Sequence, residues 1–384
     1  MSITAASIRQ SFVTVFGTEP EIAARAPGRL EILGNHTDYN QGVVLSVAVD
    51  RATFVAARKV PGTVCRVVDV ALGDERTFDL ADLAHPVKGD WANYIKGMVV
   101  EFGKRGIAIP AFAAVMGSTI PLSAGMSSSA AFEMSFGTML LALAGQSMEW
   151  RELAKVGQAC ENRYVGANTG LLDQFSSLKG KAGHLVFSDF RSLEVRNVPL
   201  PAGTALVVAN SMVKHNLTNE YNERRESCER AAAVLAKLYP GVVALRDVSL
   251  EQLEAARAKL DPVDYRRALH VVGECTRVMA GSAALERGDV AGFGQLMFAS
   301  QDSSTHNFEN SCAELDALVA VARDIPGALG ARLSGGGFGG ITVHLVQADR
   351  AEAYAAEVAR RYRGKTGLES EVMICRAGDG AALL

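Results

Sequence analysis

Three short segments gather the side chains able to bind or react. The first, PGRLEILGNHTDYNQG at 27–42, sets Arg29, Glu31, Asn35, His36, Asp38 and Tyr39 between two apolar runs, with Gly28, Gly34 and Gly42 at its bends. Directional donors and acceptors this close together suit a polyhydroxyl ligand, because each buried hydroxyl left unpaired costs about 1–3 kcal/mol. The same residues equally suit a solvated β-turn, where Asn and Asp bond their own backbone. A metal pair at His36 and Asp38 is disfavoured: hard Mg2+ avoids imidazole, and no third ligand stands nearby in the sequence.

The second segment, PLSAGMSSSAA at 121–131, runs straight into an apolar pattern. Phe132, Phe136, Met139, Leu140 and Leu143 fall on one helical face, so a helix is predicted over about 126–144. A Gly–Ser turn at a helix start aims backbone N–H groups and the positive end of the macrodipole at an anion, which favours phosphate. No Gly-Lys-Ser/Thr follows the glycine, so the Walker lysine plays no part. The third segment, LSGGGFGG at 333–340, places five glycines around Phe338. It admits close backbone approach or positive φ, and a structural turn would produce it equally well.

Elements that must position these loops are legible on either side. Residues 42–60 read as one long or two short strands broken near Asp50, and a helix follows the serine segment's own over about 149–165. Strands are predicted near 184–187 and 205–210, separated by Pro199-Leu200-Pro201, where the chain changes domain. Helices are predicted over 221–239 and 264–280, then strands at 340–346 and 371–376 flanking a helix at 350–362. Mixed order of this kind in 384 residues predicts an α+β protein of two domains, 1–200 and 201–384.

Composition narrows the function classes. The formal net charge of -3 argues against a surface built for nucleic acid. No apolar run approaches the roughly 18 residues of a membrane span, and the first residues lack the pattern of a secretory signal. The six cysteines are scattered without a C-x-x-C pair, which suits reduced thiols in a cytoplasmic protein. Glycine, at 37 of 384 residues, exceeds the usual share of about 7% and concentrates in the loops.

Taken in this order, the three segments resemble the three motifs of the GHMP small-molecule kinases, and the first resembles the signature of the galactokinase branch nearly throughout. WANYIKGMVV at 91–100, GLLDQFSS at 170–177 and NEYNERRESCERA at 219–231 extend the resemblance. It implies an N-terminal domain like the second domain of ribosomal protein S5, carrying sugar and ATP, and a C-terminal ferredoxin-like domain, with the active site in the cleft between them. The implied reaction is transfer of the γ-phosphate of ATP to the anomeric hydroxyl of galactose. By the resemblance Asp173 is the base and Arg29 its partner; Asn35, His36, Asp38, Gly170 and Tyr221 line the sugar. Gly125, Ser127, Ser128 and Ser129 hold phosphate, Trp91 packs on adenine, and Ser129 with Glu161 holds Mg2+. The expected partners are galactose or a close analogue and ATP, with no nucleic acid or membrane, in a monomer or weak homo-oligomer.

Three positions depart from the family pattern. Asn35 stands where glutamate is usual, which removes a negative charge near the sugar C6 and predicts relaxed discrimination there. A kinase of galacturonate is the nearest rival, and a galactose and ATP sensor without turnover is a second. Ser46 replaces a usual proline and Thr169 a common cysteine, both expected to alter packing more than chemistry.

Overall fold

A computed structural model describes residues 3–121, 125–167, 169–213 and 218–384. Among the described residues twelve strands form: β1 (Ile22–Leu33), β2 (Val43–Lys59), β3 (Val64–Asp69), β4 (Asp74–Asp79), β5 (Phe112–Ser118), β6 (His184–Asp189), β7 (Glu194–Pro199), β8 (Thr204–Asn210), β9 (Ala328–Ser334), β10 (Ile341–Gln347), β11 (Val372–Cys375) and β12 (Ala382–Leu383). The chain folds as two compact units that interleave in sequence. The first comprises Met1–Arg29, Ala48–Gly180 and Gly378–Leu384, the second Leu30–Val47 and Lys181–Ala377. The interleaving arises because β1 and β2 each supply residues to both units, and because the chain's last residues return to pair with β1.

In the first unit the strand order is β12-β1-β2-β5-β3-β4. β3 and β5 are parallel, with Asp69 opposite Met116, while β2 and β5 are antiparallel, with Thr53 opposite Ser118. One core joins this sheet to the helices Ala92–Gly103, Ser128–Leu143 and Trp150–Ala159 through Phe112, Met98, Phe136, Leu140 and Val156. The helix predicted over 126–144 begins at Ser128 and is buried nearly all round, so its apolar residues exceed the single face read from spacing.

In the second unit β11-β8-β10-β9 form an antiparallel sheet, and β6 pairs with β7 and with the first residues of β2. The helix Pro262–Glu286 runs longer than the 264–280 read from periodicity, capped by Asp261 with Pro262 opening it, and the helix Val290–Ser303 follows it. Of the two readings for 42–60, the single long strand forms, continuous over Val43–Lys59, and β7 is an additional strand that ends on the first proline of Pro199-Leu200-Pro201.

The helix Val290–Ser303 meets β9 where neither side chain has room. A Cβ on Gly294 would lie 2.0 Å from the Leu329 carbonyl oxygen, and one on Gly330 2.5 Å from that of Gly294. Glycine is required there by close backbone approach, since a methyl must push helix and sheet apart. Gly294→Ala is expected to cost about 1–3 kcal/mol or more in urea unfolding; unchanged stability would show that the two elements separate freely.

Candidate active site

Arg29 is not on a loop, as the first segment suggested, but on β1, near the end of the first unit's share of that strand. Its side chain is almost fully buried and commits its guanidinium to Asp173: Nε donates to Oδ1 at 2.7 Å and Nη2 lies 2.6 Å from the same oxygen. Nη1 donates to the Gly125 carbonyl at 3.0 Å. The second carboxylate oxygen, Oδ2, accepts from the Ser127 hydroxyl. Asp173 stands in the first turn of the helix Leu172–Lys179 and keeps 26% side-chain exposure, so it is fixed at both oxygens yet remains reachable.

Local backbone explains how these groups converge. The Arg29 N–H donates to the Met126 carbonyl at 3.0 Å, and a Cβ on Gly28 would lie 2.6 Å from that same oxygen. Glycine therefore lets β1 run against the serine segment. Ser127 sits at φ 50° and ψ 56°, a left-handed conformation for a non-glycine residue, immediately before the helix Ser128–Leu143. Strain of this sort costs of order 1–3 kcal/mol and persists where the surroundings enforce it. Residues 122–124 of the serine segment lie outside the described residues.

Behind Asp173 lies a second acidic group. Glu161, in a π-helical turn Cys160–Val165, is buried, and its carboxylate is bonded by Ser129. Thr169 Oγ1 donates to Glu161 Oε2 at 2.5 Å, and Gln174 Nε2 reaches both Glu161 Oε2 and Glu133 Oε2 at 3.1 Å. Burial raises the Glu161 carboxyl above its ordinary range, the Thr169 bond opposing it, and burial raises Glu133 further, with the Glu161 charge adding. Among the described residues Gln174 Oε1 takes no hydrogen bond, while the Cys160 thiol also bonds the Glu133 carboxyl. A hydroxyl and a carboxylate side by side are hard oxygen donors, and Mg2+ held by few protein groups keeps several waters, so Ser129 and Glu161 fit that ion. Thr169 stands where cysteine is common, and its hydroxyl bonds this carboxylate, so the replacement bears on the Glu161 charge as well as on packing.

Ser128 and Ser129 also line a cavity of about 330 Å³ with Trp91 and Phe132. Trp91 precedes the helix Ala92–Gly103, its indole N–H donating to Asp74 Oδ2 at 3.0 Å and its ring beneath the Arg76 guanidinium. It thus offers a ring face and no free donor. Gly170 is half-buried, two residues before the helix that carries Asp173.

Asn35, His36, Asp38 and Tyr221 belong to the second unit. Asn35 is buried with its amide engaged on every side: Nδ2 donates to Glu31 Oε1 and the Gly335 carbonyl, each at 2.9 Å, and Oδ1 accepts from Asn310 at 2.8 Å. Glu31 is in turn paired with Arg332 at 3.2 Å, and Glu274 accepts the Asn35 and Gly34 N–H groups at 2.9 Å. His36, at φ 60°, bonds the Tyr39 hydroxyl through Nδ1 at 2.8 Å and the Gly336 carbonyl through Nε2 at 3.1 Å. A carbonyl only accepts, so Nε2 carries the proton and Tyr39 donates to Nδ1. The Tyr221 ring centroid lies 5.2 Å from that of His36, and Asp38 opens a short helical turn, half-buried. The glycines of the third segment thus present carbonyls to Asn35 and His36.

The sequence reading did not single out Gln174, Glu133, Asn310, Glu274 or Arg332. Gln174 adjoins Asp173 in the string that carries the resemblance, and Glu133 follows Ser129 by one helical turn, so both had a local signal. The other three come from distant segments and had none.

Comparison with known proteins fits this arrangement. Residues 93–181 match the family model of the GHMP kinase N-terminal domain and 282–364 that of the GHMP kinase C-terminal domain, while 10–59 match the galactokinase galactose-binding signature. Fold and site together define a GHMP kinase. A galactokinase of Roseiflexus sp. (strain RS-1) is 39% identical over 97% of this chain and 95% of its own, and the Homo sapiens galactokinase 40% over 99% and 96%. The crystal structure of Lactococcus lactis galactokinase complexed with galactose superposes with a TM-score of 0.93 at 30% identity, covering 99% of both chains. The chain belongs to the galactokinase family. No helix among the described residues is long and apolar enough to cross a membrane.

Burial holds the His36 imidazole down at about 4, against 6.5 for the free side chain. Between those values the unfolded chain binds the proton and the folded chain does not, so stability rises with pH through that window and is complete above it. The contribution lost between pH 7 and pH 5 is roughly 2 kcal/mol. Urea unfolding of the protein and of His36→Gln at both pH values is expected to show that much less pH dependence in the variant; equal slopes would mean the imidazole titrates normally.

Proposed function

We propose that this chain transfers the γ-phosphate of ATP to the anomeric C1 hydroxyl of galactose, giving galactose 1-phosphate. The observation that carries it is Asp173, clamped at one oxygen by Arg29 and at the other by Ser127 beside the Gly125 turn. Its carboxylate accepts the proton as the sugar oxygen attacks the γ-phosphorus, and Arg29 offsets the negative charge that spreads over the phosphoryl oxygens. Arg29 also keeps Asp173 oriented, since two guanidinium nitrogens share one oxygen.

On this reading Ser128, Ser129 and the backbone at Gly125 and Ser127 hold the phosphates, Ser127 sharing its hydroxyl with Asp173. Trp91 presents its face to adenine. Ser129 and Glu161 hold Mg2+, which when bound neutralises charge on the β- and γ-phosphates. Asn35, His36, Asp38, Gly170 and Tyr221 line the sugar, with Asp38 accepting from adjacent hydroxyls and His36 neutral at pH 7. Residues 1–200 form the N-terminal sugar- and ATP-binding domain and 201–384 the C-terminal GHMP kinase domain, which adds Tyr221 to the sugar groups. The protein acts in the cytoplasm as a monomer or weak homo-oligomer, with no nucleic-acid or membrane partner.

The Asn35 replacement does not turn the site toward an acidic sugar. Glu31 keeps a carboxylate 2.9 Å from the Asn35 amide, so negative charge remains in this loop although position 35 is neutral. Steady-state kinetics with galactose, fucose and galacturonate are expected to give galactose the highest kcat/KM; a higher value for galacturonate would overturn the substrate assignment. With radiolabelled ATP, sugar-dependent transfer is expected, and binding of both ligands without transfer would mark a sensor. Asp173→Asn should lower kcat by at least ~10² with a much smaller change in galactose affinity. Near-normal turnover in that variant would remove Asp173 from the role of base.

A further inference from the structure

A primary amide is ambiguous toward a ligand. It carries two donor protons and two acceptor lone pairs, and what it offers depends on which of these the protein has already taken. At Asn35 the protein takes both protons. Nδ2 donates to Glu31 Oε1 and to the Gly335 carbonyl, each at 2.9 Å, and a carboxylate and a carbonyl only accept. Asn310 fixes the other end of the amide. Its own Nδ2 donates to the Gly336 carbonyl at 3.1 Å and to Asn35 Oδ1 at 2.8 Å. Turning the Asn35 amide over would set oxygen against oxygen at Glu31 and Gly335, and N–H against N–H at Asn310. Among the described residues, one lone pair of Oδ1 is all that the side chain of Asn35 has left.

Glu31 is the part of this arrangement that a substitution can undo. Gly335 and Gly336 act through backbone carbonyls, which every residue carries, whereas the acceptor at Glu31 belongs to its side chain. Glu31 is buried, and the Oε1 that takes the Asn35 proton also faces Arg332 Nη1 at 3.2 Å. Arg332 is fully buried, and Glu31 is its ion-pair partner, so the carboxylate is held where both donors converge. The Asn35 backbone is tied as well: its N–H donates to Glu274 at 2.9 Å and its carbonyl accepts from His270 Nε2 at 3.2 Å. The amide therefore cannot escape by a shift of its own backbone.

We propose that Glu31 is a positioning residue that sets sugar specificity: by taking an Asn35 proton it leaves Asn35 to meet the sugar as an acceptor alone, so the sugar must present a donor there. This rests on the reading of Asn35, His36 and Asp38 as sugar-lining residues, with position 35 beside C6. The C6 hydroxyl of galactose donates to the remaining lone pair. A C6 fluorine or carboxylate brings lone pairs against it, and a C6 methyl leaves it without a donor. A neutral residue at 35 does not relax the choice at C6, because Glu31 fixes what that residue presents.

Calorimetric titration of the full chain with galactose and with 6-deoxy-6-fluorogalactose tests this without requiring turnover. Fluorine is close to hydroxyl in size and cannot donate. The unaltered protein is expected to bind galactose at least ~10-fold more tightly. Glu31→Gln keeps an oxygen where Asn35 and Arg332 converge, so the preference should hold within about twofold although a charge is lost. Glu31→Met has no acceptor, so the Asn35 amide can turn and present an N–H. The hydroxyl then accepts where it donated, fluorine no longer meets a lone pair, and the preference should shrink to about threefold or less. Both variants remove the charge partner of Arg332, so a merely structural role would move both alike. Thermal unfolding without sugar checks that each is folded. If Glu31→Met is not, Glu31→Asp takes its place, keeping a carboxylate for Arg332 while drawing it back from Asn35 by one methylene.

Three results would each overturn the proposal: no galactose preference in the unaltered protein, a preference lost in folded Glu31→Gln, or one unchanged in the folded variant that withdraws the acceptor. A Glu31-dependent preference in a protein that binds galactose and ATP without transfer would support it while the kinase reading failed. Transfer to galactose with equal affinity for the fluorinated sugar would do the reverse.

Discussion

The ion pair of Arg29 with Asp173 aims the carboxylate and leaves it accessible, and the surrounding elements are built to hold that pair. Arg29 is nearly buried, so its fork is held by strand β1 and not by solvent. Both nitrogens that reach Asp173 converge on Oδ1, which leaves Oδ2 to Ser127. The strand can approach the serine turn because residue 28 lacks a side chain, and the turn can face the carboxylate because Ser127 accepts a left-handed backbone. The sheet, the helix start and the helix of Asp173 are each arranged around one ion pair. A charged pair of this kind costs desolvation, which is offset here by an acceptor for each of the three guanidinium nitrogens.

The surrounding polar groups follow the same economy in two different ways. Around Glu161 and Glu133 the carboxyls are crowded and buried, and burial raises both, so this corner of the first unit resists holding two negative charges together. Gln174 and Thr169 share the available donors between them. A cation at Ser129 and Glu161 would relieve that crowding by favouring the ionised form. In the second unit the balance is struck within the protein: Glu31 against Arg332, Glu274 against Arg277, and His36 kept neutral between Tyr39 and Gly336. The polar groups of residues 31–39 are therefore paired and positioned by the protein itself, and specificity of the kind that rejects a missing hydroxyl depends on such preorganisation.

Much of this was legible in the amino-acid sequence, and the reasons for the gaps are physical. The helix carrying Cys228, Ala231 and Leu235 was readable because one face had to be buried, and the helix after the serine segment because part of its apolar set still falls at helical spacing although nearly all of it is buried. The residues of Arg29, Asp173 and the serines were legible through contiguous strings, each of which lies within a single element or turn. Arg29 was placed on a loop because Pro27, Gly28 and Gly34 look like punctuation, whereas β1 runs through the first two as a buried strand. Periodicity cannot find such a strand when nearly every position is covered on both faces. Asn310, Glu274 and Arg332 were invisible for another reason: each reaches the sugar loop from hundreds of residues away, and no local pattern encodes that pairing.

The central claim is that the anomeric oxygen of galactose attacks the γ-phosphorus while Asp173 takes its proton. Galactose labelled with ¹⁸O at C1, incubated with ATP and the protein, reports this in the ³¹P spectrum of the product. The label is expected to remain in the C1–O–P bridge of galactose 1-phosphate. Product in which the bridge has lost the label, or in which the phosphate sits on another hydroxyl, would contradict it.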